Sequence, residues 1–337
     1  MIFQVSARKV RGEKMKDSVK VIPIECKFGA TSAYVYYIDA KEPAIIDAGI
    51  AESPASEIEQ ALEEHGFDIK DIQWILLTHG HLDHLGGAYA LWEKTGKHAR
   101  VVIPEKEAYL LRNRESHVSD YERLQGQYLD EEVRKKHISI FLNDIGESME
   151  PAMVVKEGDK LSLGNLTISV IETPGHSIGS VTYLVDGLNW AFAADAVQMY
   201  GGANSGIPTI EFPAFYRESV RRLYEEIRPH CLYLGHHFLN AKGEVAHAQL
   251  EGEEVEVALR NSLDMDAKLK DIAEQYMGDG RKEPVIDSVY GPFKAIAEDL
   301  HYKGNPQNLP CSFFVTCNGY QKELQSVSSI DERKANR

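Results

Sequence analysis

Thr78-His79-Gly80-His81-Leu82-Asp83-His84-Leu85-Gly86-Gly87 is the stretch that decides the fold. Three histidines and an aspartate occur within six residues, directly after the apolar run at 72–77. A short apolar run of this kind predicts a buried strand, so the polar side chains follow a strand end. Imidazole and carboxylate groups together suit zinc, iron or manganese. The stretch therefore predicts a metal site rather than surface histidines on a loop.

The spacing within the stretch predicts two metal positions. His79 and His81 lie on the loop and can face one ion, whereas Asp83 and His84 begin the next helix and turn toward a second position. Gly80 permits a tight backbone path, and the glycines at 86–87 let the helix lie close to the sheet.

Further candidate ligands follow other predicted strands. His176 lies in Thr-Pro-Gly-His-Ser (173–177), Asp195 follows the apolar run 190–193, and His236 follows the run 231–234 and Gly235. Taken singly, a histidine after Pro-Gly is typical of a turn, and an aspartate after a strand is typical of a helix cap. Their joint occurrence favours a shared metal site at one rim of the fold.

Composition narrows the class of protein. The chain has 337 residues, is 43% hydrophobic and carries 37 basic and 52 acidic residues, a net charge of -15. Such a surface disfavours nucleic acid and anionic lipid as partners, and no apolar stretch approaches the roughly 20 residues of a membrane span. The four cysteines are sparse and irregularly spaced, which predicts thiols in a reducing compartment, the cytoplasm.

The pattern along the chain predicts two similar α/β halves. Strands are predicted at 19–24, 32–38, 44–47, 72–77 and 100–103, and again at 166–171, 180–185, 190–193 and 231–234. Helices are predicted at 53–64, 85–94, 105–112, 214–227, 248–276 and 285–300. We expect a flexible extension at 1–18, a main domain at 19–245, a helical insert at about 114–150 between the two halves, a helical C-terminal extension at 246–325 and a frayed tail at 326–337.

These motifs resemble the metallo-β-lactamase superfamily from about Val19 to Leu239, most closely its glyoxalase II-like and lactonase-like branches. The resemblance implies an α/β (α+β) fold, a four-layer αββα sandwich with two metal ions at one edge. It implies that one metal is bound by His79, His81 and His176, and the other by Asp83, His84 and His236. It further implies that Asp195 bridges both, while Asp47 orients a ligand and the adjoining loop without binding metal.

The predicted activity is hydrolysis of an ester-like bond in a small molecule, a thioester or a lactone. Two divalent cations, with zinc as first candidate and iron or manganese as alternatives, lower the pKa of a shared water from about 16 toward 7, and the hydroxide attacks. Asp83 is the candidate catalytic residue, since it can orient that water or carry its proton. A phosphodiesterase on the same site and a metal-binding regulatory protein with little turnover are the alternatives.

Several other residues have two interpretations. His237 is either a proton carrier or part of the fold, and Tyr200 either an oxyanion donor or a loop-packing residue. The insert and the C-terminal helices either form walls over the metal rim or pack and mediate a homodimer. As walls, the insert would use the apolar side chains of Tyr121, Leu124, Tyr128, Phe141 and Leu142.

Overall fold

Two six-stranded sheets lie face to face, with helices on both outer surfaces. The structure is a computed structural model that describes residues 19–277, 288–309 and 311–335, with side chains through residue 326. The architecture confirms the predicted αββα sandwich. The predicted extension at 1–18 lies outside the described residues.

The first sheet has its strands in sequence order. Its first two pairings are antiparallel and the next three are parallel. The strands are β1 Lys20–Phe28, β2 Thr31–Asp39, β3 Ala44–Ile46, β4 Trp74–Leu76, β5 Arg100–Pro104 and β6 Met153–Val155.

The second sheet has the order β12-β11-β10-β9-β8-β7. Its pairings are antiparallel except for the parallel pair β10 and β11. The strands are β7 Lys160–Ser162, β8 Thr167–Glu172, β9 Val181–Val185, β10 Trp190–Ala194, β11 Cys231–Leu234 and β12 Gln249–Glu251.

Alternate side chains of the central strands enter different cores. In β2, Tyr36 and Ile38 lie in the core between the sheets, whereas Val35 and Tyr37 lie in the core under the outer helices. Cys231–Leu234 alternates in the same way. Because successive side chains leave opposite faces of a strand, a strand covered on both faces must be apolar throughout. This requirement explains the continuous apolar runs that end at the polar candidates.

Ten α-helices occur in the described residues, together with short 3₁₀ turns and two five-residue π-helical segments, Pro54–Ile58 and Leu223–Ile227. They are α1 Glu59–Glu64, α2 Leu82–Leu85, α3 Ala88–Lys94, α4 Ala108–Arg112, α5 Ser116–Leu124, α6 Glu131–Asp144, α7 Pro213–Arg222, α8 Glu253–Met277, α9 Lys294–Asp299 and α10 Ser312–Ala335.

The helix predicted at 85–94 is two helices. α2 begins earlier, at Leu82, and Gly86 and Gly87 separate it from α3. A β-carbon on Gly87 would lie 2.1 Å from the carbonyl oxygen of Ala48. This close approach brings the helix start against the end of β3, as the glycines predicted.

The insert interrupts the first half of the fold instead of separating the halves. Residues 114–150 contain α5, α6 and a 3₁₀ turn, with no strand, as predicted. The next strand, β6, pairs with β5 and completes the first sheet. The prediction that the insert lies between the halves was therefore wrong, because the short strand after it belongs to the first sheet.

The C-terminal boundaries also differ from the prediction. Residues 249–251 form β12, because the edge of β11 offers hydrogen-bonding partners to them. The helix predicted at 285–300 begins only at Lys294, after the turn Gly291–Phe293; Pro292 lacks an N–H and disfavours helix before it. Residues 285–287 lie outside the described part. α10 continues to Ala335, past the predicted frayed boundary at 326.

An ion-pair network joins the C-terminal helices to the sandwich. Arg217 of α7 donates two hydrogen bonds to Asp266 of α8, at 2.6 and 3.0 Å, and one to Glu323 of α10, at 3.2 Å. The extension therefore packs on the helical layer outside the second sheet. None of the helices in the described ranges has the length and apolar character that crossing a membrane requires.

Candidate metal centre

The ends of five strands meet at one edge of the sandwich. β3 is parallel to β4, and β10 is parallel to β11, so the carboxyl ends within each pair point to the same edge. The segments that follow β3, β4, β8, β10 and β11 carry the predicted site residues. The structure brings all seven predicted ligands together there: His79, His81, Asp83, His84, His176, Asp195 and His236.

Three histidines form the first group. The ligand atoms of His79, His81 and His176 lie within 4.8 Å of one another. Nε2 of His176 is 2.7 Å from Nδ1 of His81 and 3.2 Å from Nε2 of His79. These three rings thus point nitrogens at one small volume.

Asp83, His84 and His236 form a second group that also fits within 4.8 Å. Nε2 of His236 lies 3.2 Å from Nε2 of His84 and 3.3 Å from Oδ2 of Asp83. Asp195 lies between the two groups, because its Oδ2 is 3.3 Å from both His176 and His236. Its position matches that predicted for a residue shared by both groups.

The outer nitrogens of three rings are fixed by hydrogen bonds. Nδ1 of His84 donates to Oδ2 of Asp47 at 2.8 Å, Nδ1 of His176 to the carbonyl of Thr209 at 2.8 Å, and Nδ1 of His236 to the carbonyl of Ser32 at 2.7 Å. A neutral imidazole that donates from one nitrogen presents a lone pair at the other. These bonds therefore turn the Nε2 lone pairs inward.

The residues fit a divalent metal. Nε2 of His176 and Nε2 of His79 are 3.2 Å apart, a spacing at which two imidazole nitrogens can bind one cation. Oδ1 of Asp195 is buried and has no hydrogen-bond partner, a costly state for a carboxylate oxygen unless it binds a cation. Nitrogen and carboxylate donors together are the set that zinc, iron and manganese accept.

Burial keeps two of the imidazoles neutral. It lowers the pKa of His176 to about 3 and the pKa of His79 well below its usual range. Both rings therefore offer lone pairs at neutral pH, which metal binding requires.

The second group lies in a negative potential. Burial disfavours a charged ring at His84, but the carboxylates of Asp47, Asp83 and Asp195 outweigh this and raise the pKa of His84 to about 10. Three carboxylates around one ring attract positive charge to that position. The same carboxylates would stabilise a metal cation beside Nε2, which would take the place of the second proton on the ring.

Asp47 also holds the loop after β4. Its carboxylate accepts from the backbone N–H of Thr78 at 2.7 Å and from the Thr78 hydroxyl at 2.8 Å. Asp47 itself has a φ of 64°, a left-handed conformation that aspartate tolerates better than most residues. It thus contacts both the loop and the ring of His84, the two groups that the family resemblance implies it orients.

Two buried polar residues were missed by the sequence analysis. Glu107 accepts hydrogen bonds from the N–H groups of Gly80 and Gly179 and so ties the two ligand-bearing loops together. Gln198 donates to the carbonyl of Asp195 at 2.9 Å and accepts from the N–H of Thr209 at 2.7 Å. The position of Glu107 just past β5, at the same sheet edge, was a usable signal.

A cleft of about 210 Å³ opens from this centre. The insert contributes Tyr121, Leu124 and Phe141 to its walls, in line with the first of its two interpretations, and the C-terminal segment contributes Leu309 and Val315. Helical segments from both predicted regions therefore enclose the rim.

Tyr128 and Leu142, which the wall interpretation also placed over the rim, are not among the residues that line the cleft. The ring of Tyr128 instead stacks on Phe314 of α10, with centroids 5.0 Å apart. The carbonyl of Leu142 accepts a hydrogen bond from Arg114. The wall interpretation therefore does not hold for these two residues. Tyr128 instead joins the insert to the C-terminal helices, which is the packing alternative.

The two remaining candidates lie away from the cluster. Nε2 of His237 is 3.7 Å from Oε1 of Glu25, and its ring packs against Tyr34 at 5.0 Å. Tyr200 lines a separate cavity with Met265 and Lys268. His236 alone of the histidine pair belongs to the metal-binding groups.

Gly235 permits this arrangement. A β-carbon at this position would lie 2.0 Å from Oδ1 of Asp195, so a side chain here would displace the carboxylate. A steric requirement therefore explains the glycine before the candidate ligand His236.

Comparisons with known proteins agree with this geometry. The model of the metallo-beta-lactamase superfamily matches residues 26–236. YobT of Bacillus subtilis is 32% identical over 216 residues, which are 61% of this chain and 83% of that protein. A hydroxyacylglutathione hydrolase of Nitrobacter hamburgensis is 26% identical over 263 residues, 76% of this chain and 83% of that enzyme.

The fold agrees with a solved structure as well. The crystal structure of a metallo-beta-lactamase family protein from Thermus thermophilus superposes with a TM-score of 0.65 at 19% identity, covering 92% of this chain and 94% of that one. Sequence match, fold and the His/Asp cluster agree with one another. The chain belongs to the metallo-beta-lactamase superfamily and is a metal-dependent hydrolase.

Proposed function

We propose that this chain is a dinuclear hydrolase that cleaves a thioester or a lactone of a small molecule. His79, His81 and His176 would bind one ion, Asp83, His84 and His236 the other, and Asp195 both. Zinc is the first candidate, with iron or manganese as alternatives. The observation that carries the proposal is the pair of ligand groups joined by Asp195 at the base of a partly apolar cleft.

When bound, the ions supply Lewis acidity that acidifies water and polarises a carbonyl. Asp83 lines the cleft, and its side chain is 13% exposed. Its carboxylate is placed to accept the proton of the attacking water and to pass it to the departing sulfur or oxygen. The carbonyl carbon gains a C–O bond and loses its C–S or ester C–O bond, which leaves a carboxylic acid and a thiol or alcohol.

The remaining chain holds this arrangement rigid. Asp47 and the main-chain carbonyls of Ser32 and Thr209 orient three ligand rings. Glu107 ties the ligand loops to each other. Side chains held within small tolerances of the productive geometry are what a hydrolytic site requires.

Two observations support an acyl substrate. Relatives in the comparisons are named hydroxyacylglutathione hydrolase, and an acyl group on the glutathione thiol is a thioester. The cleft offers apolar side chains such as Leu124, Phe141 and Leu309 to an acyl chain. A phosphodiesterase would instead be expected to offer a basic groove, which neither the lining nor the net charge of -15 favours.

The setting we propose is the cytoplasm, since four sparse cysteines suit a reducing compartment. A homodimer through the helical segments is a further proposal, and sedimentation at several protein concentrations tests it.

The test is a substrate panel with and without metal. The protein is stripped with EDTA, reloaded with zinc, manganese or iron, and assayed on a neutral acyl thioester, a lactone, a phosphodiester and a β-lactam. We expect metal-dependent turnover of the thioester or lactone, and about a 100-fold or larger loss in D83N. Turnover of the phosphodiester alone would overturn the proposal. Tight metal binding with no turnover in any class would favour a regulatory protein.

A further inference from the structure

Arg123 is the single lysine or arginine among the described residues that line the cleft. It lies near the end of α5, in the insert. Its side chain is about half exposed, so a ligand in the cleft can reach it. Outside the two metal-binding groups, this guanidinium is therefore the one lysine or arginine charge among the described lining residues that a substrate can contact.

The guanidinium of Arg123 already forms ion pairs with two carboxylates. Nη1 of Arg123 is 2.5 Å from Oε1 of Glu211, and Nη2 is 3.3 Å from Oδ1 of Asp120. The other oxygen of Asp120 accepts from the hydroxyl of Tyr109. The three charged groups together carry an excess of one negative charge, and all of them line the cleft.

Glu211 is held where it is by its own segment. Its backbone N–H donates to the carbonyl of Gly175, beside His176, at 3.0 Å. The preceding N–H, of Ile210, donates to the hydroxyl of Thr316 in α10 at 2.9 Å. The carboxylate is buried, so it has little freedom to release Arg123 when a substrate arrives.

The rest of the cleft offers little to an anion. Glu107 also lines it, and its two oxygens accept from backbone N–H groups. Burial lowers the pKa of His117 to about 4, so this ring is neutral at pH 7. The other polar lining residues outside the metal groups include neutral amides such as Asn204, Asn305 and Asn308. An anionic group would face carboxylates without gaining a free cation.

We propose that Glu211 sets the charge preference of the cleft because it neutralises Arg123. The cleft then accepts acyl substrates with an uncharged or cationic leaving group and rejects those with an anionic leaving group. This proposal rests on the proposed hydrolysis of ester-like bonds. It makes Glu211 a specificity-determining residue, and it distinguishes this cleft from one built for a glutathione conjugate, whose leaving group carries carboxylates.

The test compares two thioesters that differ in one carboxylate. The probes are the butyryl thioesters of N-acetylcysteamine, which is neutral, and of N-acetylcysteine, which is anionic. We expect wild-type protein to prefer the neutral thioester about tenfold or more in kcat/KM. E211Q should raise the ratio of kcat/KM for the anionic thioester to kcat/KM for the neutral one about tenfold. D120N/E211Q leaves Arg123 unpaired and should raise this ratio further.

A charge-matched control isolates the guanidinium. R123Q/E211Q has the same net charge in this trio as the wild type but no cation, so its ratio should return to within about twofold of the wild-type ratio. E157Q breaks an arginine ion pair on the surface, that of Glu157 with Arg222, and should leave the ratio unchanged. If E211Q fails to fold, D120N alone carries the test at a less buried position.

Calorimetric binding of the two free thiols to the metal-loaded protein provides a readout without turnover. The same order of affinities is expected across the variants. Equal ratios in wild type, E211Q and D120N/E211Q, or a wild-type preference for the anionic member, would overturn the role of Glu211. If neither thioester is hydrolysed, thioester cleavage fails as the proposed function, while the thiol affinities still decide the charge preference.

Discussion

Oδ2 of Asp47, just past β3, lies 2.8 Å from Nδ1 of His84 in α2. The two residues are 37 positions apart in the chain. This hydrogen bond fixes which nitrogen of His84 carries the proton and points the other nitrogen at His236, 3.2 Å away. Asp47, which is not itself a candidate ligand, thereby orients His84, which is one.

Replacing Asp47 with asparagine should weaken metal binding by about 10- to 100-fold. Asparagine tolerates the left-handed backbone of this position, but its neutral amide no longer stabilises the donating tautomer of His84 electrostatically. Competition with a chromogenic chelator measures the change. D186N makes the same substitution at a carboxylate paired with Lys160 and should leave the affinity unaltered. An equal affinity in D47N and wild type would contradict the orienting role.

The adjacent histidines should differ sharply. H236N removes a ring nitrogen that faces Asp83, His84 and Asp195, so we expect a loss of bound metal of about one ion per chain. H237N removes a ring that packs on Tyr34 and should retain full occupancy. Elemental analysis after dialysis distinguishes them, and metal loss in H237N would refute the assignment.

Tyr128 should stabilise the junction between the insert and the C-terminal helices. Its ring stacks on Phe314 and meets Phe293 edge-on, with centroids 5.0 and 5.4 Å apart, and its hydroxyl donates to Asn318. We expect Y128A to lower the free energy of unfolding by about 3 kcal/mol and Y128F by about 1 kcal/mol. Urea unfolding measures both. Equal losses in the two variants would mean that ring packing contributes nothing.

His117 should make the fold sensitive to acid. Burial lowers the pKa of this ring to about 4, despite its hydrogen bond to the carbonyl of Leu110, whereas an unfolded histidine titrates near 6.5. As the pH falls from about 6.5 to 4, the unfolded chain binds a proton that the folded chain does not. The free energy of unfolding therefore decreases, by about 3 kcal/mol across this window.

H117Q tests this effect because glutamine retains a donor for Leu110 but does not titrate. Urea unfolding of both proteins in EDTA, between pH 7 and 4, removes any contribution of bound metal from the comparison. The wild type should lose stability relative to H117Q as the pH falls. Parallel stability curves would show that His117 is protonated in the folded chain.

The sequence indicated most of the elements and the candidate ligands through local chemistry. Strands buried on both faces must be apolar at every position, so each polar residue that directly follows one is conspicuous. That is why His79 through His84, Asp195 and His236 could be identified before the fold was known. His176 was identified by its place in Thr-Pro-Gly-His-Ser, after the strand β8. The predicted αββα class and the hydrolase family are confirmed.

The errors occur where distant partners decide local structure. Residues 249–251 carry no strong strand pattern and become a strand only because β11 lies beside them. Glu107 and Gln198 hold the loops of the candidate ligands by hydrogen bonds. The spacing of residues in the sequence does not predict these bonds. Tyr128 has an apolar ring suited to a cleft wall, but the ring stacks on Phe314 of α10 instead.

The sequence by itself determined which side chains can bind metal, because donor chemistry belongs to the residue type. Only the tertiary structure decided what those side chains face. It paired Arg123 with Glu211 across 88 positions and turned His236 inward while His237 lies against Tyr34. Strand ends can be found from the chain alone, whereas the charge of a cleft depends on which distant groups neutralise one another.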